Sequence, residues 1–76
     1  MTLPSLLREK MRANTLDHIN KARVLARRGD VKGAKVHAAL AETAMQTAGE
    51  YMSDDEYRQF RDEVETRLGT LSKSAN

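Results

Sequence analysis

The sequence has no cysteine and no tryptophan, one proline, four glycines and three aromatic residues among its 76 positions. Each shortage excludes something. Without thiols the chain can form neither a disulfide nor a cysteine-ligated zinc site, so two usual staples of short folds are missing. A domain this small buries only about 60–65% of the surface its unfolded chain exposes, which leaves a thin core. Burial against a second copy or another protein is the remaining remedy. A thiol-free chain also fits a reducing, cytoplasmic setting. No stretch approaches the ~18 apolar residues of a membrane span. The segment 1–12 lacks the uninterrupted apolar run of about 7 residues that a signal peptide needs. Neither membrane insertion nor export is therefore expected. All three aromatics (Tyr51, Tyr57 and Phe60) lie in the C-terminal half, away from most of the basic residues. The chain is also short for an enzyme, whose walled pocket takes a few hundred Å³.

Ten alanines and many Leu, Arg, Lys and Glu residues favour helix, and no useful two-residue alternation favours strand. Punctuation divides the chain into three segments. Pro4 suits a first helical turn, where its missing N–H costs nothing. Gly29-Asp30 ends the first segment and caps the second, Gly49 to Ser53 ends the second, and Gly69 stops the third. The expected helices are about 4–28, 31–49 and 54–68 within a single domain of residues 1–69, with 70–76 as a frayed tail.

In the first segment Leu7, Met11, His18, Ala22 and Leu25 fall on one stripe at 100° per residue, flanked by Ile19 and Ala26. Leu6 and Val24 form a second patch to one side, more than the single seam of a monomer needs. One long helix is the favoured reading here, with a kink at Asn14-Thr15 as the alternative, because both side chains compete for backbone hydrogen bonds. The second segment carries a small-residue face of Ala34, Ala38, Ala41, Ala44, Met45 and Ala48, with His37 and Leu40 beside it, which lets another helix approach closely. In the third, Ser53-Asp54-Asp55-Glu56 reads as a capping box, with the acids at the positive end of the helix dipole. Tyr57, Phe60, Val64, Leu68 and Leu71 then make a continuous seam. Asp54–Arg58, Arg58–Asp62, Arg61–Glu65 and Glu63–Arg67 stand at pairing distance along its sides.

Gly29-Asp30-Val31 followed by Ala34, Ala38 and Ala41, with Ala22 and Leu25 before the turn, resembles the turn and second helix of a tetratricopeptide repeat. The likeness covers about 20 residues, with Ala38 where that family has a large aromatic, and no second copy follows at the 34-residue period. It implies one closely nested helical hairpin and no ligand.

Candidate chemistry is sparse. His18 and His37 stand on opposite arms of the hairpin, but two imidazoles lack a third ligand, and no Asp or Glu lies three or four residues from His37. Asp54, Asp55 and Glu56 are accounted for by capping. Gly29 and Gly33 lack the strand and Lys-Ser ending of a phosphate loop. Ser5, Ser53, Ser72 and Ser74 have no histidine nearby to activate them. No catalytic residue, metal, cofactor or small-molecule substrate is expected.

Charge is less evenly spread. Residues 1–41 hold nine lysines and arginines against three acids, a balance of +6, and residues 42–76 hold four against eight, a balance of −4. Arg8, Arg12, Arg23 and Arg27 share one side of the first helix, a stripe able to follow phosphates.

The sequence thus reads as an all-α protein, an antiparallel helical hairpin plus a third amphipathic helix, and as a homodimer. Its expected role is that of a non-enzymatic adaptor, regulator or inhibitor docking through helical faces, with Leu3, Leu6 and Val24 at the contact. Accessory proteins of bacteriophages and mobile elements are often built this way. The alternative is a nucleic-acid-associated regulator using the four arginines.

Overall fold

The computed structural model describes the backbone of residues 3–75 and the side chains of residues 6–70. Over that range it is all helical: α1 spans Leu3–Arg27, α2 Val31–Gly49 and α3 Asp54–Ala75. α1 and α2 form the hairpin and share most of the inter-helix packing, and α3 lies against both. At 1.5 Å per residue α1 is about 37 Å long, which sets the long dimension of a 41 × 19 × 15 Å molecule.

The hairpin turn is built as the sequence reads. Gly29 takes φ +85°, a left-handed conformation that costs glycine nothing. Its N–H donates to the Ala26 carbonyl at 3.0 Å and the Asp30 N–H to Leu25 at 2.9 Å, the paired bonds of a Schellman motif. Asp30 at once caps α2, its Oδ1 accepting from the Gly33 N–H at 2.9 Å. One two-residue turn therefore closes one helix and opens the next.

The core consists of Ile19, Ala41, Met45, Ala48, Phe60 and Val64, with Met11, Leu16, Met52, Tyr57 and Leu68 packed round it. Ala22 and Ala34 extend the burial toward the turn. α3 thus seals the half of the hairpin remote from that turn. Its aromatic and aliphatic seam fills the space that the alanine face of α2 leaves between backbones.

Two expectations are corrected and one alternative falls away. α1 runs unbroken through Asn14-Thr15, as the single long helix expected, and the alternative kink does not form. Thr15 is fully buried, and its hydroxyl donates to the Met11 carbonyl at 2.9 Å, so the polar atom is satisfied inside its own helix. The buried arc of α1 is shifted toward Thr15 and Ile19, leaving Leu7, Met11, His18 and Leu25 only half-buried, because α3 packs on that side. Nor does Gly69 stop the third helix, which runs to Ala75. Glycine in a helix interior costs about 1 kcal/mol, less than the cost of abandoning the hydrogen bonds beyond it. Thr66 and Thr70 hydroxyls meanwhile bond back to the Asp62 and Thr66 carbonyls at 2.8 and 3.0 Å.

Gly49 has a role its helix-ending reading did not supply. A Cβ there would lie 2.5 Å from Tyr57 Cδ1, so its bare backbone is where the ring of α3 seats against α2. The chain leaves α2 through tightened turns, with the N–H groups of Glu50, Tyr51 and Met52 each bonding three residues back. Ser53 then caps α3, its Oγ accepting from the Glu56 N–H at 3.2 Å. The return limb of the box is altered. Glu56 Oε1 accepts from the Ser53 hydroxyl at 3.3 Å, while Oε2 pairs with Arg8 at 3.2 Å.

Candidate interaction surface

The hairpin has two broad sides, and α3 covers one. On that side Glu42, Met45 and Gln46 of α2 and Arg12 of α1 line clefts shared with α3. Among the described residues, nothing packs on the other side. At 100° per residue Val36, Leu40, Thr43 and Thr47 fall within about 60° of one another, about 130° round α2 from Ala34, Ala41 and Ala48. Tyr51 continues the line just past the end of the helix. Val36 is 53% exposed, Leu40 44% and Tyr51 37%. The two threonine hydroxyls donate to the Ala39 and Thr43 carbonyls at 3.2 and 3.1 Å. They already have a partner, so covering them would orphan no donor. The result is an uncharged stripe about four turns long on an otherwise charged chain.

The sequence does not single out this stripe by composition, although its residues recur at spacings of four, three, four and four. The alanine face of the same helix is more regular and drew the core assignment. The residues assigned to intermolecular contact stand differently. Leu6 and Val24 are 49% and 45% exposed, as such a role requires. They lie 18 residues apart, however, about 27 Å along α1, with Lys10, Asp17 and Lys21 between them. The side chain of Leu3 lies outside the described residues.

The structure divides the arginine stripe. Arg8 pairs with Glu56, and Arg12 lies 3.9 Å from Glu63 with its guanidinium 5.3 Å above the Phe60 ring. Both thereby tie α1 to α3. Each contact is half-exposed and worth at most about 1 kcal/mol, but together they occupy the half of the stripe beside α3. Arg23 and Arg27 have no such partner. With Arg28, Lys32 and Lys35 they form a basic end at the hairpin turn, where none of the five lies within ion-pair distance of a described carboxylate. Glu50, Asp54 and Asp55 mark an acidic opposite end. Of the four pairings that spacing allows along α3, the 3.1 Å contact of Arg67 with Glu63 is the one that closes.

His18 and His37 do meet, Nδ1 to Nδ1 at 3.1 Å across the α1–α2 seam. Their ring centroids are 5.3 Å apart. Nitrogens this close in rings so far apart place the imidazoles nearly end to end, each nitrogen directed at the other. That is the geometry of an N–H···N hydrogen bond, with one Nδ1 donating and the other accepting. A shared metal would instead need both lone pairs aimed at a third point. Among the described residues no group of three or more His, Cys, Asp or Glu side chains converges on a common point. His37 also borders an open groove of about 350 Å³ near the turn, lined with Asn20, Lys21, Val24, Leu25 and Arg28. Lys21 is held by Asp17 at 3.1 Å on its own helix. Among the described residues, no helix is long and apolar enough to cross a membrane.

Set against family models, curated proteins and solved structures, the chain matches none of them.

Proposed function

We propose that this protein is a non-enzymatic interaction module, an adaptor, regulator or inhibitor that docks through the open side of its α1–α2 hairpin. The observation that supports this reading is the uncharged stripe Val36–Leu40–Thr43–Thr47–Tyr51, exposed on the side that α3 leaves bare. Exposed apolar residues scattered singly on a surface are ordinary, but an aligned row rimmed by charge is the pattern of a contact surface. The core of the described residues is small, so burying such a row adds proportionally more apolar burial than it would to a large domain.

The test compares affinity capture by the wild-type chain with capture by Val36→Asp and Leu40→Asp variants that retain their helical circular dichroism. Proteins retained by the wild type and lost with both variants are the expected result. Identical recovery by all three removes the reading. The alternative, contact with nucleic acid, now rests on Arg23 and Arg27 with the neighbouring turn cations, since Arg8 and Arg12 are engaged by α3. It predicts retention that disappears with nuclease and an affinity that falls steeply with salt.

A further inference from the structure

The stripe on α2 is uncharged and the two ends of α2 carry opposite charge, a combination that selects its occupant. We propose that a second copy of this chain packs on the stripe as an antiparallel two-fold dimer, α2 against α2. This deepens the interaction reading and rests on it.

The argument begins with symmetry. In a two-fold contact the same surface meets itself, so any charge on the axis meets its own like. Val36, Leu40, Thr43 and Thr47 bring none, and both hydroxyls are already bonded within the helix. Orientation follows from the flanks. Lys32 lies in the first turn of α2 and Glu50 caps its far end, both exposed. They are 18 residues apart, five full turns, and therefore occupy the same flank of the stripe about 27 Å from each other. Across an antiparallel pair of helices, residues on one flank face the same flank of the partner. An alignment centred on residue 41 sets Lys32 of each copy level with Glu50 of the other, twice by symmetry. The ends agree with the flanks. Antiparallel packing lays the basic turn of one hairpin, with Lys35 and Arg28, beside the acidic start of α3 in the other, at Asp54 and Asp55. Parallel packing would stack basic on basic and acidic on acidic. Between Lys32 and Glu50 the same flank carries Ala39, Thr43 and Gln46, which are uncharged and oppose nothing.

Sedimentation equilibrium on the full chain at low salt is the experiment, with circular dichroism to confirm folding. A dimer is expected, reduced to monomer by Leu40→Asp and independently by Val36→Asp, both at exposed sites where folding tolerates charge. Lys32→Glu should weaken it about tenfold, because two rim attractions become repulsions. Adding Glu50→Lys in the same chain should restore it, since the swapped pair still matches in the antiparallel register. A wild-type chain that stays monomeric at millimolar concentration overturns the second copy as occupant, yet leaves the interaction reading intact if the stripe variants still lose captured proteins. A dimer indifferent to both stripe variants places the contact elsewhere. A dimer lost with Leu40→Asp, but unaffected by Lys32→Glu, overturns the antiparallel register.

Discussion

The two sides of the hairpin are made by the same two helices and differ in what was laid on them. On one side Met45, Phe60 and Val64 are buried within a seam of aromatic and aliphatic side chains. On the other Val36 and Leu40, no less apolar, stand half in solvent. The difference does not come from hydrophobicity, because both sides of α2 carry large aliphatic residues. It comes from where α3 lies. Among the described residues α3 packs on one side, and a single helix about 10 Å across covers one side of a hairpin. Apolar residues on the uncovered side contribute little to the fold of one molecule.

Substitutions on the two sides should separate this comparison sharply. Phe60→Ala removes the largest core side chain, for an expected loss of about 3–5 kcal/mol. That approaches the whole stability of a domain this size, so the variant should be largely unfolded by circular dichroism at 25 °C. Leu40→Ala, on the bare side, should change the stability of the monomer by less than about 0.5 kcal/mol in urea titration at micromolar concentration. A loss at Leu40 comparable to that at Phe60, and independent of chain concentration, would mean that the open side is covered within the molecule.

Smaller effects sharpen the account of how α3 seats. Gly49→Ala drives a methyl into the Tyr57 ring and should cost about 1–3 kcal/mol. At Gly69, where a Cβ meets nothing within 4 Å, the same change should stabilise the chain by up to about 1 kcal/mol and raise its melting temperature. If both changes stabilised the chain, the seat for Tyr57 would not stand; if both destabilised it, the continuity of α3 through Gly69 would not. Asp30→Ala, which removes the cap on α2, should cost about 1 kcal/mol.

Much of the fold was legible along the chain. Gly29-Asp30 announced the turn, Ser53 to Glu56 announced the start of α3, and Tyr57, Phe60, Val64 and Leu68 announced its inward face. These signals are local, since each depends on residues within one or two turns. Thr15 shows what local reading leaves open. Asn14-Thr15 allowed a kink beside the favoured single helix; with Thr15 fully buried, its hydroxyl donates to the Met11 carbonyl and the helix runs on. The arginines show the same limit. Four shared a side of α1 by periodicity, but the line followed by α3 gave Arg8 and Arg12 to Glu56 and Glu63, and left Arg23 and Arg27 at the turn.

What the sequence determined by itself was the set of helices and the closure between the first two, because caps, glycine and apolar period act within a few residues. Where α3 lies was decided only in the tertiary structure. That placement left one row of α2, with Ala41, Met45 and Ala48, in the core and another, with Val36 and Leu40, exposed, since burial belongs to the space between helices and to no helix alone.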